Sequence, residues 1–322
     1  MSQWSRPIAA LLALTIAAPA SAQTFPVKPV HIFVTIGPGA AADVLTRIVG
    51  EKLGSRLGQP IIIENRAGAG GNIAGDAVAR SAPDGYALLM ASSSTHGANA
   101  SIYPKMPFDP IRDFAPIVLV ASNPNVLVVP PSLGVNSLAE LVSLARRKPG
   151  QLTYASGGTG TSMHISGEVL ALLAGIKLQH IPYKSTPDAI NAALAGQVSM
   201  TFASVPTALS QVKAGKLKAL GLTSEKPLAS LPEMRTLASQ GLAGFDVSAW
   251  FGLAAPAGTP EAIINRINAE TLQVLAIPEV REKLFGLGME PLGGTPAEFA
   301  AFIRSEIKRL GEVVKASGAK VN

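Results

Sequence analysis

The sequence contains no cysteine. Disulfides, thiolate nucleophiles and Cys-ligated metals are therefore excluded, and stability must come from a buried core. Charge is sparse, with Asp, Glu, Lys and Arg at 15% of residues, and aromatic residues reach only 5%. The net charge of +6 is spread along the chain without a run of five or six basic residues. A mildly basic surface suits an acidic substrate, although simple solvation explains it as well. With few rings to stack on bases and no basic tract, nucleic acid is not an expected partner. Past the first two dozen residues, no stretch reaches the ~18 continuous apolar residues of a membrane-spanning helix. A G-x-S-x-G elbow and a Walker A loop are both missing, which removes two common catalytic designs. The four histidines, His31, His96, His164 and His180, lack zinc-site spacing. No catalytic residue, metal or cofactor is expected.

What is present is apolar material, 48% of 322 residues, enough for two domains with a large core and too much for a disordered chain. Glycine and proline are scattered and read as turn punctuation. The first 22 residues stand apart. Arg6 supplies a positive start, 8–18 form an apolar run of secretory length, and Ala20-Ser21-Ala22 is a cleavage site. The expectation is a signal peptide over 1–22 and a secreted, periplasmic mature chain. The alternative, a membrane anchor, lacks a flanking stop-transfer pattern. The lack of cysteine at the cleavage point argues against a lipid anchor.

The remainder alternates strand-like and helix-like segments, the α/β pattern. Strands are expected over 29–36, 60–63, 86–91, 114–120, 126–129, 152–155, 177–182, 198–203, 217–223 and 247–254. Helices are expected over 41–57, 72–82, 137–147, 161–173, 186–194, 205–213, 260–276, 278–287 and 295–316. Asn123-Pro124-Asn125 reads as a breaker between two strands. The chain crosses there, and again near Gly244. This suggests lobe 1 from 23–123 with 245–322, and lobe 2 from 124–244.

Two loops stand out. Gly37-Pro38-Gly39-Ala40-Ala41-Ala42-Asp43 joins a strand directly to a helix. Its small residues expose backbone, and the open N–H groups of a helix start favour an anion. A plain tight turn is the alternative. Asp43 is expected to bond loop amides rather than ligand. Ser156-Gly157-Gly158-Thr159-Gly160-Thr161 repeats the layout, with Thr159, Thr161 and Ser162 as neutral donors. Two such loops facing one cleft would bind a carboxylate through Gly39, Ala40, Ala41, Gly158, Thr159 and Thr161. Ser94 and Thr95 follow a strand end, where they face a crevice or form a solvated loop. His164, beside the second loop, donates to a ligand or serves in capping and packing. His31 and His180 read as structural. Trp250 and Phe251 read as core rather than cleft.

A rival reading exists. Gly37, Gly39 and Ala42 satisfy G-x-G-x-x-A after a strand, and Glu64 ends the next strand. That would suit a secreted NAD(P)-dependent oxidoreductase using the Gly37–Ala42 loop. Against it stand the secretory start and Pro38, which removes a phosphate-binding amide.

Ordered matches across the mature chain resemble the Bug family, periplasmic binding components of tripartite tricarboxylate transporters. They include Gly58-Gln59-Pro60, Glu64-Asn65-Arg66-Ala67-Gly68, Pro83-Asp84-Gly85-Tyr86, Thr95-His96, Pro182-Tyr183-Lys184 and Ala255-Pro256-Ala257-Gly258-Thr259-Pro260. The resemblance implies a two-lobed Venus-flytrap fold, type II-like, with a mainly parallel sheet in each lobe. It also implies a carboxylate held by amides and bridging waters of the first loop, with the second loop completing closure. Membrane permease subunits are the implied partners, a sensor component is the alternative role, and a monomer is expected. Where the family often carries an aspartate, this chain has Ser204. Losing that partner for an ammonium points to a ligand without an amino group, an aromatic or aliphatic mono- or dicarboxylate.

Overall fold

The computed structural model describes residues 25–317. The expected signal segment 1–22 lies outside the described residues. In chain order the elements are β1 (Val30–Val34), α1 (Ala41–Leu57), β2 (Ile61–Asn65), α2 (Asn72–Ala79), β3 (Ala87–Ser92), α3 (Asn99–Ile102) and β4 (Phe114–Val129). Then come α4 (Leu138–Arg147), β5 (Thr153–Ser156), α5 (Ser162–Ala174), β6 (Gln179–Pro182), α6 (Thr186–Leu194), β7 (Met200–Ser204), α7 (Val205–Lys213) and β8 (Lys218–Leu222). The chain closes with β9 (Ser248–Pro256), α8 (Glu261–Leu275), α9 (Pro278–Gly286), β10 (Glu290–Gly293) and α10 (Pro296–Ser317).

The strands form two sheets that share β4. The first runs β2-β1-β3-β9-β4 with β10 on β4, and the second runs β4-β7-β5-β6 with β8 on β4. Within each sheet the outer strands are parallel: β1 with β2 and β3, β5 with β6 and β7. Strands β4 and β9 then run antiparallel, so each sheet is parallel at its flank and mixed as a whole. Parallel strands are covered by helices on both faces and read as nearly continuous apolar runs. Strand β3 fits that rule, with Leu88, Leu89, Met90 and Ala91 all buried.

Two cores result. One gathers β1, β3, α1, α8 and α9 around Ile32, Leu45, Leu53, Leu253 and Ile267. The other gathers β4, β5, β7, α4 and α5 around Val126, Leu141, Tyr154, Leu170 and Phe202. A smaller cluster pins α10 to the first sheet: Trp250 lies 5.8 Å from Phe299, ring to ring, and donates to Glu306 Oε2 at 2.9 Å. Trp250 and Phe251 are buried, as the sequence suggests. Ser137, Thr161 and Ser185 cap α4, α5 and α6. Gly58, at φ +74°, ends α1.

The main departure from expectation is at Asn123-Pro124-Asn125. These residues do not break the chain into two strands; β4 is one strand of 16 residues. Pro124 is tolerated because the ladder changes neighbours there. Residues up to Pro124 pair with β9, and Asn125 begins the pairing with β7. A missing N–H costs little where one ladder ends. Residues 94–102, for which no helix was expected, form a π-turn and the short helix α3. Strand β10 was not expected; only Glu290–Gly293 pair, along β4.

Close packing supplies a test. A Cβ on Gly252 of β9 would lie 2.2 Å from Phe299 Cζ and 2.8 Å from the Val118 carbonyl oxygen. The carbonyl cannot swing away without breaking a ladder. Gly252→Ala is expected to destabilise the chain by about 1–3 kcal/mol in chemical denaturation.

Candidate functional site

Parallel strands expose the start of each following helix at their carboxyl ends. Of the six connections that leave such ends, four are β1 to α1, β3 to the 94–98 turn, β5 to α5, and β7 to α7. Every candidate residue lies on one of them.

The first connection is held by one carboxylate. The Asp43 side chain is 3% exposed. It accepts from Gly39 N at 2.8 Å, Arg47 Nε at 3.1 Å and Asn65 Nδ2 at 3.0 Å. Asn65 also donates to Ile36 O at 2.9 Å, tying β2 to the loop. Burial works against the Asp43 charge, but the hydrogen bonds from Arg47, Gly39 and Asn65 outweigh it and hold the carboxyl below its ordinary range. The Gly39 amide, expected to be open, is thus already taken. Gly39 itself sits at φ +80°, which only glycine adopts readily. No side chain caps α1. The first-turn amides of Ala41 and Ala42 therefore stay available, as in any uncapped helix start.

The second connection is held differently. Thr161 caps α5, accepting from His164 N and giving its hydroxyl proton to Gly158 O at 2.7 Å. Ser156 Oγ accepts from Gly158 N, and His164 Nδ1 from Gly160 N at 3.1 Å. His164 is 3% exposed and turns inward. It does not offer a donor at the surface of the loop. Thr95 is likewise fully buried, and its hydroxyl accepts from Ser92 N and meets His96 Nδ1. Of the pair predicted on this turn, only Ser94 is part-exposed.

The turn after β3 joins the two sides. Ser94 Oγ donates to Gly160 O at 3.3 Å. Asn99 Nδ2 donates to Gly70 O, while Asn99 Oδ1 lies 3.4 Å from where a Gly160 Cβ would stand. Gly71, next along, is pressed between Thr35 and Thr95. A chain of contacts therefore runs from the end of β1 through 70–71 and 94–99 to the second glycine loop. On the far side, Ser204 Oγ bonds Thr207, and its ladder partner Asn125 donates to Ser162 Oγ at 3.1 Å. Asn99 and Asn125 were not singled out from the sequence. Asn125 sat inside a segment read as a breaker, and Asn99 carries no local signal. Two cavities, of about 520 and 380 Å³, lie elsewhere: one between α4 and α5 beside Leu138 and Arg146, the other between α1 and β2 beside Gly54 and Pro60.

The dinucleotide reading fares poorly. Glu64, its ribose acid, is bonded to His31 Nδ1 at 2.6 Å and to Arg66 at 3.0 Å. Its phosphate amide at Gly39 is held by Asp43. Among the described residues, no three of His, Asp and Glu converge as metal ligands, and no helix is long and apolar enough to cross a membrane.

Residues 45–319 match the family described as tripartite tricarboxylate transporter family receptor, TctC. Protein BugT of Bordetella pertussis is 36% identical over 307 residues, covering 95% of this chain and 94% of BugT. The solved structure of R. palustris Rpa4515 with adipate is similar at TM-score 0.84 and 32% identity, covering 92% of this chain and all of that one (100%). MatC from Rhodopseudomonas palustris, with bound malate, is similar at TM-score 0.79 and 33% identity, covering 90% of this chain and 100% of MatC.

Two outcomes follow from the geometry. Asp43→Ala removes the acceptor shared by Gly39 N, Arg47 and one proton of Asn65 Nδ2, and is expected to cost about 1–3 kcal/mol in urea denaturation. Burial pushes His96 down to about 3 and His164 and His180 down to about 4, with His164 adding to the effect on His180, from an ordinary 6.5. The unfolded chain then binds protons that the folded chain refuses. Stability should be complete above pH 6.5 and fall as pH drops toward 4. Thermal melting at pH 7 and pH 5 should show a lower midpoint at pH 5.

Proposed function

The chain belongs to the TctC family of tripartite tricarboxylate transporter receptors, periplasmic solute-binding proteins, and from that premise we propose that it captures a small carboxylate between the two glycine-bearing loops and delivers it to membrane permease subunits. The observation that supports this reading is the bond from Ser94, on the turn after β3, to the Gly160 carbonyl of the second glycine loop, with Thr95 of the same turn beside Thr35 at the end of β1. α1 begins without a side-chain cap, α5 begins after a glycine loop, and the 94–99 turn bridges the strand ends from which they leave.

In this reading Ala40, Ala41, Ser94, Gly158, Thr159 and Ser204 face the ligand. Gly39, Thr95, Thr161 and His164 hold the loops from behind, since their polar groups are already engaged. The lobes are 23–123 with 245–322, and 124–244. The change of ladder partner between Pro124 and Asn125 supports that division. Contacts contributed by both lobes shift the population toward a closed form. Micromolar capture needs about −8 kcal/mol. A few charge-assisted hydrogen bonds at roughly 1.5–3 kcal/mol each supply it, with apolar burial adding to them. The chain acts without catalysis, as a monomer exported on residues 1–22. Ser204 leaves no carboxylate on β7 for a ligand ammonium, so the ligand is a carboxylate without an amino group. Rpa4515 holds adipate and MatC holds malate, which supports a dicarboxylate.

Calorimetry tests this. The mature chain should bind adipate or malate and not glutamate; glutamate binding with neither dicarboxylate bound would refute the reading. Ala41→Asp places a carboxylate in the first turn of α1, where helices accept it, and should abolish capture by charge repulsion without loss of fold. Ser204→Ala should alter selectivity among carboxylates more than affinity.

A further inference from the structure

Beneath the second glycine loop lies a cluster that the capture scheme leaves unused. His164, in the first turn of α5, and His180, on β6, stack with ring centroids 4.2 Å apart. Tyr154 of β5 also stacks on His180, at 4.9 Å. One nitrogen of each ring faces the loop. Gly160 N donates to His164 Nδ1 at 3.1 Å. His180 Nε2 lies 2.6 Å from Ser156 Oγ, which in turn accepts from Gly158 N at 3.2 Å. Gly158 and Gly160 both sit at positive φ, +127° and +85°. Their amides are held by one histidine directly and by the other through a serine.

We propose that His164 and His180 are positioning residues for ligand capture, a stacked neutral pair that holds the amides of Gly158 and Gly160 and so sets the shape of the loop offered to the carboxylate. The inference deepens the capture reading and rests on it. A backbone amide can only donate, so His164 Nδ1 must be bare and its proton must sit on Nε2. That nitrogen faces Glu168 Oε1 at 3.8 Å. A second proton on His164 would set donor against donor at Gly160 and release the loop. Burial, which resists that proton, keeps the pair neutral at pH 7. The other titratable groups around the pair are few. Tyr154 of β5 donates to Glu168. β7, Met200-Thr201-Phe202-Ala203-Ser204, carries no titratable side chain, and its Phe202 packs edge-on against Tyr154. On α6, Asp188 is bonded to Ser185, and on α10, Glu306 is bonded to Arg309 and Trp250. Tyr103, which follows α3, packs against the same core.

The experiment has two arms on the mature chain. In ligand-free protein, ¹H–¹⁵N spectra of the imidazoles should show His164 as the Nε2–H tautomer at pH 7. The Gly160 amide shift should follow His164 protonation with one midpoint. An Nδ1–H tautomer, or a Gly160 amide indifferent to that protonation, overturns the proposal. In the second arm adipate is titrated at pH 7. His164→Asn keeps an acceptor at the Nδ1 position, whereas His164→Leu removes it. Affinity should fall about tenfold or more in His164→Leu and stay within about threefold in His164→Asn. Equal losses in both, or none in His164→Leu, overturn the proposal. If His164→Leu fails to fold, near-native affinity in His164→Asn still supports it, and a tenfold loss there overturns it. Native protein that binds no dicarboxylate, yet shows the expected tautomer and linked amide, overturns the capture reading while upholding the loop-holding contacts.

Discussion

A backbone N–H outside a ladder or helix is fixed in place by the acceptor it finds, and the loops of this protein are shaped by which acceptors those are. At the start of α1 the acceptor for Gly39 is a carboxylate, Asp43, itself fixed by Arg47 and Asn65. At the start of α5 the acceptors are a serine and a histidine. One side thus spends a charge on its own loop, and the other spends none. The difference has an electrostatic consequence. The Asp43 charge is matched by Arg47, so the first loop carries no net repulsion toward an anion. The second loop is built from neutral groups throughout and presents only dipoles.

Much of this arrangement was legible in the sequence. Small residues between an apolar run and a helical period mark both loops, and Asp43 was read as an internal acceptor. Ser137 and Thr161 could be seen as helix starts. Local chemistry decides such features within a few residues, so the sequence carries them. What escaped was tertiary. Asn123-Pro124-Asn125 has every mark of a breaker, yet the chain continues because each half of β4 finds a different neighbour. Asn99 joins the two sides through Gly70 and Gly160, residues distant along the chain, and nothing beside it hints at that. His164 was left between ligand donor and packing residue, and Thr95 between crevice and solvated loop, because both flank the right loops. Burial, which periodicity over one helical turn cannot resolve, turned them inward.

Sheet sharing also has a mechanical side. The chain passes between the sheets along β4 at Pro124 and Asn125, and returns into β9 at Ser248. Thr223 rungs the two passages together: its amide donates to Asn125 O at 2.9 Å, and its carbonyl accepts from Val247 N at 2.8 Å. The halves are therefore coupled by two short antiparallel spans of main chain rather than by a loose tether. Such a joint resists stretching and sideways drift, because either would rupture ladder bonds.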